Sequence, residues 1–368
     1  MATIVGLVRT AVIAALLFLG FTAAPAHAQP TAVDAALTRA VVDDDLAGAL
    51  AVVRDGPHIS QSAAGYSDVE TAAGFAPNTH VRAASITKTF VAAAVLQLVG
   101  EGQVVLDASV ETYLPGRLRG QGIDANAITV RQLLRHQSGL PEYFDNDTPP
   151  PVEPTTGEQL LDMALARPAQ FAPGTAVKYT NTNYIVLGLM IERVTGRPAV
   201  DEITRRIITP LHLLDTYFPA PGDTGLRTPS AHGYELVDGR RTDVTVFNAS
   251  AAGTAGGLVS TNDDMSAFIT ALLDGRIVTR PLLDQMMETV AMPGGDGLMS
   301  YGLGLGKVSL SCGATAWGHG GDLEGFHSFV AKTLDGPAIS MTFTQDPDAS
   351  SAAVDPRGDV LSALYCPV

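Results

Sequence analysis

Ser85 and Lys88 are the residues whose types and spacing point most directly to chemistry. They bound the segment Ser85-Ile86-Thr87-Lys88, which puts a hydroxyl three positions ahead of an amine. On a helix, positions i and i+3 share a face about 5–6 Å apart, so a neutral lysine could take the hydroxyl proton and activate the serine. The chain has only 4 lysines against 19 arginines, and arginine cannot act as a base, so a lysine here suggests chemistry.

Two ordinary interpretations of this pair stay open. Ser85 could serve only as the N-cap of the following helix, and Lys88 could be a solvated side chain. Further chemical groups must therefore be found elsewhere in the chain before the pair is assigned a catalytic role.

Two later segments offer such groups. Tyr179-Thr180-Asn181 precedes an apolar helical pattern, and Gly318-His319-Gly320-Gly321 ends a predicted strand. A phenol near a lysine can pass a proton to a leaving group, and a carboxamide can hold a substrate carbonyl. Small glycines beside a strand let a substrate backbone dock closely. Structural roles remain open for all three side chains: Asn181 as a helix cap, Tyr179 as a core residue and His319 as a satisfied strand histidine.

The order of the three motifs, Ser-x-x-Lys, Tyr-x-Asn and His-x-Gly, is that of the penicillin-recognising serine enzymes. The chain closely resembles the exported serine D-alanyl-D-alanine carboxypeptidases and, more broadly, class C β-lactamases and their esterase relatives. The likeness extends over most of the chain, through residues 81–88, 105–114, 133–140, 179–196, 255–264 and 301–326.

That resemblance implies a role for each motif residue. Ser85 would be the acylated nucleophile and Lys88 its general base. Tyr179 would relay the proton to the leaving group and assist deacylation. Asn181 would bind the carbonyl of the substrate's acyl part. His319 would take the place of the lactamase lysine and supply polarity, and charge when protonated, beside Tyr179.

The same resemblance implies an oxyanion hole and a substrate wall. The backbone N–H groups of Ser85 and Asp322 would bind the oxyanion. Gly320 and Gly321 would lie beside the substrate. Phe247 would be an aromatic wall of the pocket, with plain core packing as an equal alternative.

The substrate wall departs from the carboxypeptidases at two positions. Those enzymes bind the C-terminal carboxylate of D-Ala-D-Ala with the threonine of His-Thr-Gly and with an arginine ahead of a Ser-Cys pair. The corresponding residues here are Gly320 and Gly306. Lys307 is adjacent, but on an extended strand it should point to the opposite face. The acyl-transfer groups are therefore complete, whereas the residues that would bind the carboxylate are missing. Their absence would weaken the binding of D-Ala-D-Ala peptides.

These residues predict a serine acyl-hydrolase that forms an acyl-enzyme at Ser85, with D-alanyl-D-alanine carboxypeptidase activity on peptidoglycan-type peptides as the main expectation. An esterase or D-amino-acid amidase of the same family is the alternative. A penicillin- or peptidoglycan-binding protein with little turnover is an alternative from another class. The expected partner is a small peptide or ester, such as a peptidoglycan stem peptide or a β-lactam. No cofactor is expected, and no motif with zinc-ligand spacing is present.

The first 28 residues predict an export signal. Arg9 precedes an apolar run at residues 11–21, and Ala26-His27-Ala28 is typical of a cleavage site. The run is too short to span a membrane, although a retained anchor is the alternative. We therefore expect a secreted or extracytoplasmic protein without a stable membrane anchor. The net charge of −15 argues against nucleic acids and anionic membranes as partners.

Two cysteines, Cys312 and Cys366, are expected to form a disulfide in an oxidising compartment. Two buried free thiols are the alternative. A disulfide would tie the C-terminus back to the segment before Trp317.

Hydrophobic periodicity predicts the elements that position these groups. Residues 47–67 read as a β-hairpin and residues 86–99 as a buried helix. Further predicted elements are helices near 129–134, 157–166 and 184–194, strands at 314–319, 326–333 and 338–344, and a weak final helix at 350–364. For the segment 135–140, which contains His136, the family resemblance implies a structural role.

The predicted fold is α/β (α+β), with an antiparallel β-sheet flanked by helices. The sheet is formed by the N- and C-terminal segments, and a mostly helical lobe is inserted between them. Residues 29–368 form one β-lactamase-like domain in this prediction. Its α/β lobe comprises about 29–105 and 231–368, and its helical lobe about 106–230.

Overall fold

An antiparallel sheet of eight strands is the central element of the computed structural model, which describes residues 31–144, 150–293, 299–346 and 355–366. The predicted signal segment 1–28 and the start of the predicted final helix, 350–354, lie outside the described residues. The strands in the described part are β1 (Gly48–Asp55), β2 (His58–Gly65), β3 (His80–Arg82), β4 (Arg119–Gly120), β5 (Ile123–Asp124), β6 (Tyr234–Val237), β7 (Arg240–Asp243), β8 (Val259–Thr261), β9 (Val290–Ala291), β10 (Met299–Tyr301), β11 (Gly306–Ser309), β12 (Thr315–Leu323), β13 (Phe326–Lys332) and β14 (Ala338–Phe343).

Helices cover both faces of this sheet. In the described part of the chain they are α1 (Ala32–Val42), α2 (Thr87–Gly100), α3 (Val130–Leu134), α4 (Gly157–Leu165), α5 (Thr182–Thr195), α6 (Ala199–Ile203), α7 (Gly253–Gly256), α8 (Asn262–Leu273), α9 (Arg280–Met286) and α10 (Pro356–Tyr365). The predicted final helix therefore begins at Pro356, a residue that is favoured in the first turn of a helix.

The sheet joins the two ends of the chain. Its strand order is β2-β1-β14-β13-β12-β11-β10-β9, and all neighbouring pairs are antiparallel. Ala49 of β1 lies opposite Phe343 of β14, so the N-terminal hairpin adds directly to the C-terminal strands. This arrangement confirms the predicted fold class and the predicted hairpin.

The two faces of the sheet have separate cores. On one face, Leu37 of α1 and Leu361 of α10 pack with Phe329 and Met341 of the sheet. On the other face lies the larger core, in which Phe90 of α2 stacks on Phe268 of α8 with ring centroids 3.6 Å apart. Helix α2 is apolar on nearly every side because it lies in the middle of this core. The helix that carries Lys88 is thereby shielded from water.

Strand β12 is longer than predicted. We expected a strand that ends at the His-Gly-Gly motif, but β12 continues through Gly320 and Gly321 to Leu323. Glycine weakens strands, yet pairing with both β11 and β13 holds this one extended. A Cβ at Gly321 would lie 2.2 Å from the Ala83 carbonyl oxygen. The absence of a side chain at Gly321 therefore lets β12 pack closely against the turn that contains Ser85. It does not serve the close approach of a substrate.

Cys312 and Cys366 form the predicted disulfide, with their Cα atoms 5.8 Å apart. The bond connects the segment between β11 and β12 to the end of α10. Within the described residues no helix combines the length and apolarity needed to cross a bilayer. The predicted lobe boundaries near residues 105 and 230 stay predictions.

Candidate active site

Ser85 lies in a tight turn that leads into α2. The turn is a single 3₁₀ segment, Ala84–Ile86, and Ala84 has a φ of +47°, which a residue with a Cβ adopts only at a cost. The Thr87 hydroxyl holds the turn by donating to the Ala84 carbonyl oxygen over 2.6 Å. The N-cap position of α2 is Ile86, so the interpretation of Ser85 as a helix cap is wrong.

Lys88 is completely buried beneath Ser85. Its relative exposure is 0%, which excludes the solvated alternative. Burial lowers the pKa of Lys88 to about 7, although the carboxylates of Glu142 and Asp322 oppose that shift. The neutral amine, which is the state that a general base requires, is therefore accessible at neutral pH.

Three oxygen atoms surround the Lys88 amine. Nζ lies 2.8 Å from Ser85 Oγ, 2.7 Å from Asn181 Oδ1 and 2.7 Å from the Ala255 carbonyl oxygen. A carboxamide oxygen and a carbonyl oxygen can only accept hydrogen bonds. A neutral amine therefore uses both of its N–H groups on Asn181 and Ala255, and its lone pair is left for the Ser85 proton. The two acceptors orient the base toward its serine.

Tyr179 lies over the same amine, with Lys88 Nζ 4.8 Å from the centroid of its ring. The residue as a whole is 37% exposed. Burial nevertheless raises the pKa of its phenol well above the usual range, and the hydrogen-bonding interaction with Ser85 opposes this shift only in part. The phenol is therefore protonated at neutral pH. It can relay a proton, whereas the role of free base falls to Lys88.

The imidazole ring of His136 packs against the phenol ring of Tyr179. The imidazole and phenol rings lie 4.2 Å apart at an angle of 30°, and Nδ1 of His136 accepts a hydrogen bond from the Thr180 N–H. Burial lowers the pKa of His136 well below its usual value. The residue is thus a neutral packing partner, which agrees with the structural role expected from the sequence.

Asn181 is held by a carboxylate that sequence analysis missed. Its backbone N–H donates to Glu142 Oε2 over 2.7 Å, and the Thr180 hydroxyl donates to the same oxygen. Burial raises the pKa of Glu142. Because Oδ1 of Asn181 binds Lys88, the group that this side chain offers to a substrate is Nδ2. No local pattern around Glu142 indicates this contact, since the two residues are 39 positions apart.

His319 is held neutral by two hydrogen bonds. Its Nδ1 faces the Gly320 carbonyl oxygen and must carry the proton, so Nε2 accepts from the Tyr301 hydroxyl over 2.7 Å. Burial, together with the charge of Lys88, lowers the pKa of His319 to about 4. At neutral pH His319 therefore supplies polarity rather than charge beside Tyr179. Tyr301, another residue missed from the sequence, is its partner.

Asp322 forms an ion pair at the end of β12. Burial alone would raise its pKa, but a hydrogen bond from His327 and the charge of Arg357 lower the pKa of Asp322 to about 2. The Arg357 Nη1 lies 2.5 Å from Oδ1, and His327 Nδ1 lies 3.1 Å from the same oxygen. The carboxylate is therefore ionised at neutral pH, and Arg357 offsets part of its charge.

These groups surround a cavity of about 450 Å³. Its described lining contains no lysine or arginine; it consists of Ala84, Ser85, Tyr143, Phe144, Tyr179, Asn181, Ala252, Ala255, Gly256, Met292, Pro293, Tyr301, Gly306, His319, Gly320, Asp322 and Leu323. Gly306 is in this lining, whereas Lys307 Nζ lies 5.9 Å from the ring of Trp317, as expected for the opposite face of the strand.

Two predicted substrate-binding residues are outside the cavity lining. Gly321 contacts the Ser85 turn, as described above. Phe247 is buried, and the Arg82 guanidinium lies 5.4 Å from its ring centroid. The core-packing alternative for Phe247 is therefore the one that its position favours.

Comparisons with known proteins agree with this arrangement. A family model described as β-lactamase matches residues 33–364. The chain belongs to the β-lactamase family. Among solved structures of this family, a D-stereospecific amidohydrolase from Streptomyces sp. is 36% identical and superposes with a TM-score of 0.83, covering 91% of this chain and 98% of that one. The D-amino acid amidase from Ochrobactrum anthropi SV3, complexed with D-phenylalanine, is 28% identical with a TM-score of 0.81 and the same coverage.

A curated β-lactamase-family relative, a D-aminopeptidase from Brucella anthropi, is 32% identical over 291 residues, which cover 76% of this chain and 52% of the relative. The chain thus spans about half the length of the curated D-aminopeptidases that it matches. The family and these relatives indicate a serine hydrolase.

Proposed function

We propose that this β-lactamase-family chain is a D-stereospecific amidohydrolase, which cleaves amides of D-amino acids through an acyl-enzyme at Ser85. The proposal rests on the residues that line the cavity. Gly306 and Gly320 provide neither the cation nor the hydroxyl that would bind a C-terminal carboxylate. An unpaired carboxylate in such a wall is costly. The relatives named D-aminopeptidase and D-amidohydrolase support the same choice, so the D-alanyl-D-alanine carboxypeptidase expectation has less support than its alternative.

Charge on the wall also favours an amide with a free amino group. Asp322 is the acidic side chain in the described lining, and its pKa of about 2 keeps it ionised at neutral pH. A negative wall attracts the ammonium group of an amino acid amide and repels a second carboxylate. Arg357 weakens both effects without reversing them, since it forms an ion pair with Asp322.

Acylation in this proposal begins when neutral Lys88 takes the proton of the Ser85 hydroxyl and Oγ attacks the amide carbon. The N–H groups of Ser85 and Asp322 are the proposed donors to the oxyanion. A donor of this kind is typically worth about 10²–10³ in rate.

Expulsion of the leaving group requires a proton on the amide nitrogen. Tyr179 donates its phenolic proton to that nitrogen and regains one from the Lys88 ammonium, so ammonia leaves and the acyl group stays on Ser85. A water molecule then attacks the ester, and its proton returns by the same route to restore the Ser85 hydroxyl. One water is consumed, and the products are the D-amino acid and ammonia.

A substrate panel tests the proposal. The wild type and the Ser85→Ala variant are assayed with D-phenylalanine amide, L-phenylalanine amide, a D-Ala-D-Ala peptide, a p-nitrophenyl ester and a penicillin, following product release and intact mass. We expect Ser85-dependent release of ammonia, faster from the D-amide than from the L-amide. Release of D-alanine with the amides untouched would establish the carboxypeptidase instead. Stable acylation without turnover by any substrate would favour a binding protein for penicillin or peptidoglycan.

We also propose that the chain is exported. The pattern of residues 1–28 supports this, and a disulfide is typical of oxidising compartments. N-terminal sequencing of protein recovered from an expressing cell should begin after Ala28. Protein in the cytosol that retains those residues would contradict export.

A further inference from the structure

Three potential metal ligands meet at the far side of Asp322. They are Glu235 of β6, His327 at the start of β13 and Asp346 just beyond β14, and their ligand atoms lie within 4.8 Å of one another. One imidazole and two carboxylates form a donor set that suits divalent transition metals. The residues come from three distant segments, so no motif spacing predicts them, and the sequence analysis identified no metal site.

The orientation of His327 is the second observation. Its side chain is only 8% exposed, and its Nδ1 donates to Asp322 Oδ1 over 3.1 Å. With the proton on Nδ1, Nε2 carries a lone pair. That buried nitrogen has no hydrogen-bond partner, and it lies 4.0 Å from Asp346 Oδ1, which is too far for a hydrogen bond.

An ion between these groups would explain the arrangement. Zinc binds histidine nitrogen and carboxylate oxygen at about 2.0–2.2 Å, so its ligand atoms lie about 3–4 Å apart. The ligand atoms here, within 4.8 Å of one another, need to draw together only slightly to share one ion. A metal-bound histidine commonly donates its other N–H to a carboxylate, and Asp322 already occupies that place. Glu235 is held in position as well, because its Oε1 accepts the Gly325 N–H over 2.9 Å.

We propose that Glu235, His327 and Asp346 form a binding site for a divalent transition-metal ion, with Zn²⁺ as the reference ion. The two carboxylates balance the charge of the ion, and the imidazole supplies the nitrogen ligand. Three protein ligands leave a tetrahedral ion one position for water.

The site has a structural link to the cavity. His327 contacts the carboxylate of Asp322, and the backbone N–H of Asp322 is a proposed oxyanion donor. A cation on Nε2 polarises the imidazole and strengthens the Nδ1–H bond to Asp322. Bound metal should therefore stabilise the end of β12 and raise the melting temperature of the protein.

Metal titration of the full chain tests this proposal. After treatment with EDTA and its removal, the wild type is titrated with ZnCl₂ by calorimetry, and in parallel with CoCl₂ by visible absorption. We expect one equivalent of Zn²⁺ to bind, visible Co²⁺ bands, and an affinity for Zn²⁺ at least about 10-fold lower in Glu235→Gln and in Asp346→Asn. Both substitutions keep the size of the side chain, and circular dichroism checks their folding.

The matched control is His232→Gln. His232 forms another histidine–carboxylate pair, with Asp243 Oδ2 2.6 Å from its Nδ1, but it is not part of the three-ligand cluster. Wild-type binding by this control, together with loss in the two ligand variants, would support the site. Equal binding by all variants, or no Zn²⁺ binding and no Co²⁺ bands in the wild type, would overturn it. Because binding is measured directly, either result leaves the proposed hydrolysis untouched.

Discussion

The Tyr301 hydroxyl donates a hydrogen bond to Nε2 of His319 over 2.7 Å. This contact gives the histidine a different character from the lysine that the family resemblance implies for the lactamases at this position. A lysine brings a positive charge, whereas a histidine that accepts at Nε2 and donates at Nδ1 is neutral. Lys88 therefore has no cationic neighbour at His319 to disfavour its ammonium form, and burial is what lowers its pKa.

Removal of the Tyr301 hydroxyl should weaken catalysis. In Tyr301→Phe the buried Nε2 of His319 loses its donor, and an unsatisfied buried group costs about 1–3 kcal/mol. We expect kcat/KM to fall by about 10-fold and the free energy of unfolding to fall by about 1–2 kcal/mol. Steady-state kinetics and urea unfolding measure the two effects. Tyr66→Phe, at a half-exposed tyrosine, is the control, and equal behaviour of the two variants would contradict the role of Tyr301.

Activity should depend on the protonation of Lys88. The base must be neutral, and its pKa is about 7, so kcat/KM should fall about 10-fold per pH unit below that value. His319, with a pKa of about 4, is neutral throughout this range and adds no second step. A pH profile of kcat/KM that is flat between pH 5 and 8 would rule out Lys88 as the titrating base.

Neutralising Glu142 should move that profile to lower pH. The Glu142 carboxylate raises the pKa of Lys88 by favouring the ammonium form, so its loss in Glu142→Gln lowers that pKa. The acid limb of kcat/KM should shift below that of the wild type. Glu158→Gln, which removes a surface carboxylate paired with Arg117, should leave the limb in place. An upward shift in Glu142→Gln would contradict the assigned electrostatic contact.

An arginine at position 306 should change substrate preference. Gly306 lines the cavity, so Gly306→Arg supplies a cation at the position where the resemblance to carboxypeptidases implies an arginine. A hydrogen bond to a charged group is worth about 1.5–3 kcal/mol, so kcat/KM for a D-Ala-D-Ala peptide relative to a D-amide should rise about 10- to 100-fold. Lys307→Arg is the matched control, because that side chain lies on the opposite face. An equal change in both variants would show that position 306 does not face the substrate carboxylate.

The parts of the site that the sequence predicts are those set by local geometry. Ser85 and Lys88 are one helical turn apart, so the helical pattern alone brings them together. The hairpin of β1 and β2 and the paired strands β13 and β14 follow from alternation and turn residues. Pairing between β1 and β14, in contrast, joins segments at the two ends of the chain, and no local pattern specifies its register.

The remaining contacts depend on packing between distant segments. The Ala255 carbonyl that orients Lys88 comes from the short helix α7, and the Glu142 carboxylate that holds Asn181 comes from a loop. No local sequence pattern indicates either contact. The glycine content of β12 disfavours a strand. The strand nevertheless continues through these glycines because β11 and β13 pair with it on either side. The hairpin of β6 and β7 was missed even though Asp238 and Gly239 form its turn, since both flanking strands are short and β7 is entirely polar.

Acylation of Ser85 by a D-amino acid amide is the most direct test of the account. The protein is mixed with D-phenylalanine amide, quenched in acid within the first turnovers, digested, and analysed by mass spectrometry. We predict a D-phenylalanyl group on the peptide that contains Ser85, with none in Ser85→Ala and a strongly reduced amount in Lys88→Arg, whose guanidinium cannot accept the proton. Turnover of the amide by Ser85→Ala at the wild-type rate, or an acyl group on a different residue, would contradict the central claim.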